Sequence, residues 1–401
     1  MQCVRKVTED LYWVGANDKR LNLFENIHPI PRGTSYNSYL LLDEKTVLID
    51  TADWSVSRQF IENVEYVLNG RKLDYLIVNH MEPDHGASIE LVLMHHPETQ
   101  IICTEKATMM MNQFGFPTGN IREVKEGDSI SFGKHKFSFV FAQMVHWPEA
   151  MVSFDSTDGI LFSADAFGSF GSLDGKLFAD EVDFDRDWLD DARRYYTNIV
   201  GKYGPQVQRL LKKASGLDIK YICPLHGPVW RKDLGYILEK YLKWSSYEPE
   251  EKGVVIAYGS MYGNTESAAY ILAGMLCERG MTDIVLHDVS VSHVSYLISD
   301  VFKYSHMALL SATYNLNVFP PMQNFIDDMK ALNLQKRIAG VVGSGTWAPQ
   351  SGPSMISQLD EMKEITVLNE QMTILSALNE NTYAELSDLA DSLIESMSLV
   401  K

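Results

Sequence analysis

Apolar residues in this chain fall into two textures. Up to about residue 245 they form short runs interleaved with a few amphipathic stretches. Residues 38–50 are two apolar runs around a polar Asp43-Glu44-Lys45, which predicts a hairpin. Residues 73–78 read as a strand running into His80, with a helix over 86–93; 100–104 reads as the next strand and 105–114 as the next helix. Over 129–141 apolar positions alternate, through Ile130, Phe132, Phe137, Phe139 and Phe141, with the period of a strand. Such a mixture predicts sheets covered by helices, not a purely doubly wound fold.

From residue 254 onward the alternation is more regular. Apolar runs at 254–258, 284–287, 307–312, 338–342 and 365–368 predict strands, with helical stretches between them, including 265–279 and 322–332, and 383–397 closing the chain. Five strands separated by helices predict an open parallel α/β sheet. Between the two textures lies Ser245-Ser246-Tyr247-Glu248-Pro249-Glu250-Glu251-Lys252-Gly253, polar and containing Pro and Gly, after an amphipathic helix over 234–244. The chain therefore reads as two domains, residues 1–248 and 253–401.

Composition removes several classes. With 45% hydrophobic and 22% charged residues the chain is ordinary globular material. No run approaches the roughly 18 apolar residues of a membrane helix, and no secretory segment is recognisable at the N-terminus. Cys3, Cys103, Cys223 and Cys277 are scattered with no C-x-x-C, which excludes a disulfide scaffold, a zinc ribbon and an appended rubredoxin and fits a reducing cytoplasm. A net charge of −18 opposes binding to phosphate backbones and anionic membranes, so neither nucleic acid nor membrane is an expected partner.

The densest chemical signal is His80-Met81-Glu82-Pro83-Asp84-His85, directly after a predicted strand. Positions 80, 82 and 84 share parity and would project to one side of an extended segment. Asp84 and His85 are adjacent, so the segment could serve two metal ions. His146, Asp165 and His226 each follow another strand-like run. Four imidazoles and three carboxylates make a mixed nitrogen and oxygen set that suits two ions bridged by a carboxylate. Taken singly, His80 or His226 reads as structural and Asp165 as a turn former; the hexapeptide carries the specificity. His135, His287, His293 and His306 lack such company and read as surface or core residues, and His95-His96 as a helix end.

The second half carries a different signal. After the strand at 254–258 comes Gly259-Ser260-Met261-Tyr262-Gly263-Asn264-Thr265 and then a helix, a loop without Lys or Arg. A phosphate there would be held by backbone N–H groups, the Ser260 and Thr265 hydroxyls, the Asn264 amide and the helix N-terminus. Neither G-x-x-x-x-G-K-[ST] nor G-x-G-x-x-G is present, so FMN fits better than ATP or NAD. The loop resembles that of flavodoxins. Ser311-Ala312-Thr313-Tyr314-Asn315 resembles their second flavin loop, and Gly343-Ser344-Gly345-Thr346-Trp347 the third, with Trp347 placed to lie beside the flavin ring.

The pattern His80-x-Glu82-x-Asp84-His85, then His146, Asp165 and His226, resembles the metallo-β-lactamase superfamily. Hydrolases of that superfamily usually place a histidine where Glu82 stands, and a hard carboxylate shifts preference toward iron. With the flavin loops, the whole chain resembles the flavodiiron proteins in their minimal two-domain form. The resemblance implies an N-terminal metallo-β-lactamase-like αβ/βα sandwich followed by a flavodoxin-like sheet. It implies one iron on His80, Glu82 and His146, another on Asp84, His85 and His226, and Asp165 bridging. The implied activity is four-electron reduction of O2 to water, or of NO to N2O, with electrons entering through FMN from rubredoxin, F420H2 or another donor. Segments 31–37 and 168–175 resemble the F420H2 oxidase subgroup, which favours O2. A head-to-tail homodimer or dimer of dimers is also implied. Two rivals stay open at this point, a zinc hydrolase fused to a flavodoxin domain and a flavodoxin-type carrier with a metal-free first domain.

Overall fold

The computed structural model describes residues 2–400. The chain divides into two compact units, Met1–Tyr241 and Leu242–Lys401.

In the first unit the expected hairpin forms as Tyr39–Leu42 antiparallel to Thr46–Ile49. It sits within a seven-stranded sheet, in the order Arg5–Lys6, Leu11–Trp13, Tyr39–Leu42, Thr46–Ile49, Tyr75–Ile77, Gln100–Cys103, Ile121–Glu123. A second sheet holds Ser129–Ser131, Lys136–Phe141, Met151–Asp155, Ile160–Phe162 and Tyr221–Cys223. Strand periodicity explains how they pack. Tyr39, Leu41, Val47, Ile49, Ile77 and Ile102 join Phe137, Phe139, Met151, Phe162 and Cys223 in one core shared by both sheets. Their neighbours Leu40, Leu48, Leu76 and Ile101 face the other way, onto Phe60, Val64 and Leu68 of helix Ser57–Leu68 and Met111 of helix Glu105–Phe114. Two apolar faces per strand account for the near-continuous apolar runs. The alternation over 129–141 is broken by Gly133 at φ +132, so it forms two antiparallel strands.

The hexapeptide departs from the extended geometry expected of it. Pro83–Gly86 is a helical turn with Pro83 in its first position, and a second helix, Ile89–His95, follows. The fixed φ of proline suits a helix start, and this outweighs continuation of the strand. Asp84 is therefore turned away from the register of His80 and Glu82.

The second unit is a parallel sheet in the order Ile284–Asp288, Glu251–Gly259, Tyr304–Tyr314, Arg337–Gly345, Ile365–Val367, with Met372–Leu375 also pairing with Arg337–Gly345. Val255, Ala257, Leu309 and Val341 face one core, while Val254, Ile256, Leu310 and Val342 face the other. This is the flavodoxin-like doubly wound order, in which ligands gather at the carboxyl ends of the strands.

Candidate functional site

Four strand exits bring the metal candidates of the first unit together. His80 follows Tyr75–Ile77, His146 lies beyond Lys136–Phe141, Asp165 follows Ile160–Phe162, and His226 follows Tyr221–Cys223. His80, Glu82, His146 and Asp165 form one group, and Asp84, His85 and His226 a second, with ligand atoms inside 4.8 Å of one another in each. Glu82 Oε2 lies 2.9 Å from His146 Nε2 and 3.3 Å from His80 Nε2. Asp84 Oδ2 lies 3.2 Å from His226 Nε2 and 3.3 Å from His85 Nε2. Asp165 belongs to both: Oδ2 is 3.0 Å from His80 and 3.3 Å from His146, and Oδ1 is 3.4 Å from His85 and 3.6 Å from His226.

The donor set fits two cations. His226 directs Nδ1 to the Ser35 carbonyl at 2.7 Å, which fixes a proton there and leaves Nε2 as a lone pair. That lone pair lies 3.0 Å from His85 Nε2, an arrangement that needs a proton or a cation between them. Both oxygens of Asp84 and of Asp165 are buried, and no well-aligned hydrogen bond from the described residues reaches them. Buried anionic oxygens of this kind cost several kcal/mol unless positive charge meets them, of order 2–7 kcal/mol even for a neutral polar group. In the protein alone, that charge falls to the histidines. Burial opposes their protonation, but Asp165 and Glu82 outweigh it, holding His80 well above the usual range and His146 at about 9. Burial likewise opposes ionisation of Asp165 and Glu82, and the facing imidazoles hold both carboxyls below their usual range.

Several supporting residues carried no recognisable motif. Asp50, fully buried, accepts from the Asn79 amide at 2.7 Å and its side-chain nitrogen at 2.8 Å, and so fixes the strand end before His80. Asn37 donates to the carbonyls of Pro224 and Gly227, both at 2.9 Å, pinning the His226 loop. Glu149, three residues beyond His146, accepts from His80 Nδ1 at 2.7 Å; an acid so close to a candidate ligand was the available signal. Aromatic rings close over the second group, with Phe24 edge-on to His226 at 5.2 Å and Tyr195 at 5.4 Å. His135 does have carboxylate company, lying 2.8 Å from Asp155 Oδ2 and 3.3 Å from Asp10 Oδ2.

In the second unit the three loops line a cavity of about 560 Å3, and Leu316 and Ser376 join them. Ser376 comes from the end of Met372–Leu375, a strand the apolar pattern did not separate from 365–368. Gly263 and Tyr314 are not on the cavity wall. Gly263 instead begins helix Asn264–Glu278 at φ +92, with its N–H donated to Ser260 Oγ at 3.1 Å. Left-handed backbone there is cheap only for glycine. Tyr314 leans edge-on against Phe319. Tyr262 and Trp347 are 91% and 75% exposed, two aromatic faces beside a cavity whose floor is a helix N-terminus.

Comparison with known proteins agrees with both units. Residues 34–227 match the model of the ODP family beta lactamases, and residues 256–367 match the flavodoxin model. An anaerobic nitric oxide reductase flavorubredoxin of Vibrio vulnificus is 33% identical over 347 residues, covering 85% of this chain and 70% of that protein. The rubredoxin oxygen:oxidoreductase of Desulfovibrio gigas superposes with a TM-score of 0.93 at 27% identity, covering 99% of both chains. The flavodiiron protein of Giardia intestinalis gives a TM-score of 0.92 at 25% identity over 98% of both. With a paired nitrogen and oxygen donor set in one unit and a cavity lined by three flavodoxin-like loops in the other, the chain belongs to the flavodiiron proteins, oxidoreductases that use FMN and a pair of irons.

Proposed function

We propose that this chain reduces nitric oxide to nitrous oxide. In this reading His80, Glu82 and His146 hold one iron, Asp84, His85 and His226 hold the other, and Asp165 bridges them. The cavity of the second unit would hold FMN, the Ser260–Thr265 turn receiving its phosphate and Trp347 lying beside it. Bound in these places, reduced FMN and two ferrous ions hold four electrons, enough for two pairs of NO molecules or one O2. The observation that carries the dinuclear reading is Asp165, which turns one oxygen toward the imidazoles of each donor group.

The protein's own groups have separate tasks. Asp50 and Asn37 orient the ligand loops. Phe24, Tyr195 and Trp147, the last edge-on to His80 at 5.5 Å, restrict water around the reacting gas.

Nitric oxide stands first because the Vibrio relative is named as a nitric oxide reductase. Oxygen, which the F420H2 oxidase resemblance favoured, is the second reading, supported by the name of the Desulfovibrio neighbour. The donor in this account is a rubredoxin-type carrier or F420H2. A head-to-tail homodimer, or a dimer of such dimers, would pair each donor set with a partner's flavin. A cytoplasmic setting is consistent with four free cysteines, and among the described residues no helix is long and apolar enough to cross a membrane.

Metal and flavin analysis of the purified protein tests the reading. Two irons and one FMN per chain are expected; two zincs would support the hydrolase, and FMN without metal the simple carrier.

A further inference from the structure

The histidines of the donor set are backed unequally. His80 Nδ1 lies 2.7 Å from Glu149 Oε1, and neither side chain has any exposure. His226 Nδ1 meets a neutral acceptor, the Ser35 carbonyl, and His85 Nδ1 is buried with no hydrogen-bond partner among the described residues. Of these three imidazoles, only His80 donates to an anion. Glu149 is itself firmly placed. Its Oε1 also accepts from Met81 N at 2.9 Å, and its backbone carbonyl accepts from Thr104 Oγ1 at 3.1 Å. Thr104 caps helix Glu105–Phe114, so the carboxylate is tied to a regular element on the far side of the strand end. Glu149 Oε2 has no hydrogen-bond partner among the described residues.

A carboxylate behind a ligating imidazole fixes the proton on Nδ1, aims the Nε2 lone pair at the metal and makes the ring a stronger donor. A stronger donor favours the higher oxidation state of the ion it holds. A neutral carbonyl does this less, and an unpartnered nitrogen not at all. We propose that Glu149 is a positioning residue that locks His80 with its proton on Nδ1 and separates the reduction potentials of the two irons. The iron on His80, Glu82 and His146 is then the harder of the two to reduce. The inference rests on the metal assignment proposed above.

The test uses the full-length holoprotein with Glu149→Gln, Glu149→Leu and Glu149→Asp. Gln keeps the acceptor and the shape but removes the charge, so a potentiometric titration followed by EPR should show one iron moving to higher potential. The other iron and the flavin should stay where they were, which a merely structural defect would not reproduce. Iron affinity should fall by roughly 10–100-fold, and Asp should recover part of both losses. In protein reconstituted with diamagnetic zinc, the His80 Nδ1 proton should give an exchange-protected, strongly downfield NMR signal that moves upfield in Gln and disappears in Leu. Unchanged potentials in Glu149→Gln, or a wild-type His80 protonated on Nε2 in the zinc form, would overturn the proposal. A native protein holding zinc and no iron contradicts the proposed function instead, and there the NMR signal still decides whether Glu149 anchors His80.

Discussion

Asp165 Oδ2 lies 3.0 Å from His80 Nε2, and the other oxygen of the same carboxylate faces His85 in the second donor group. One side chain therefore faces both donor groups. Replacing Asp165 by Asn swaps one of the two oxygens proposed to bridge for an NH2 that cannot ligate. The protein should retain at most one iron per chain while keeping its flavin. Two irons by metal analysis in Asp165→Asn would remove this residue from the bridge.

Glu82 supplies oxygen where hydrolases of the superfamily carry nitrogen. Its Oε2 is the atom shared by His80 and His146. Glu82→His should lower iron occupancy or shift the site toward zinc, with FMN content unchanged. Iron content and gas reduction equal to the wild type would take Glu82 out of the coordination sphere.

Flavin binding tests the second unit separately. Asn264 is the first residue of helix Asn264–Glu278, where the proposed phosphate sits. Asn264→Asp keeps the backbone and places a carboxylate beside a dianion, a repulsion of about 4 kcal/mol per charge pair at ~4 Å and an effective dielectric of ~20. Flavin affinity should fall on the order of 100-fold or more, and donor-driven turnover should stop, with iron content unchanged because the metal loops lie in the other unit. Gly263→Asp adds strain at φ +92 and should be at least as damaging. Full turnover in a flavin-free, iron-loaded variant would sink the electron path.

His135 gives a pH prediction far from the metal ligands in sequence. Burial disfavours its charged form, but Asp155, with Asp10 and Asp158, more than compensates and raises the imidazole above its usual range. Lys134 also bonds Asp10, so the cluster has a second cation. Because the folded-state pKa is raised, the stabilisation is complete below the unfolded value of about 6.5. It is lost as pH rises through the folded value. His135→Leu removes the imidazole from buried Asp155, to which the Thr157 and Asp158 N–H groups still donate, and should cost about 2 kcal/mol near pH 6. Thermal melts of both proteins should converge toward alkaline pH; a stability gap that widens with pH would contradict the assignment.

The sequence was most informative where local physics and global fold agree. The hairpin around Asp43-Glu44-Lys45, the helix at 105–114 and the parallel strands of the second unit follow from periodicity and turn residues. All seven metal candidates meet because each follows a strand exit or the Pro83 turn. Within the hexapeptide, shared parity described only an extended segment; Pro83 starts a helical turn instead, and Asp84 faces His85 and His226, the group in which the resemblance placed it. Glu149, Asp50 and Asn37 act through hydrogen bonds to residues distant in sequence, such as the 69 positions between His80 and Glu149, which no local pattern encodes. Ser376 was hidden because Ile365–Val367 and Met372–Leu375 share one neighbour, which no local pattern encodes.

The central claim is that a flavin and two irons in this chain serve the reduction of a diatomic gas, with NO first. Its most direct measurement starts from anaerobically reduced protein of known iron and flavin content, mixed in separate experiments with NO and with O2. The account predicts that each fully reduced chain converts two pairs of NO molecules to N2O, faster than it consumes O2. Iron- and flavin-replete protein that is reduced yet forms no N2O and consumes no O2 would contradict it.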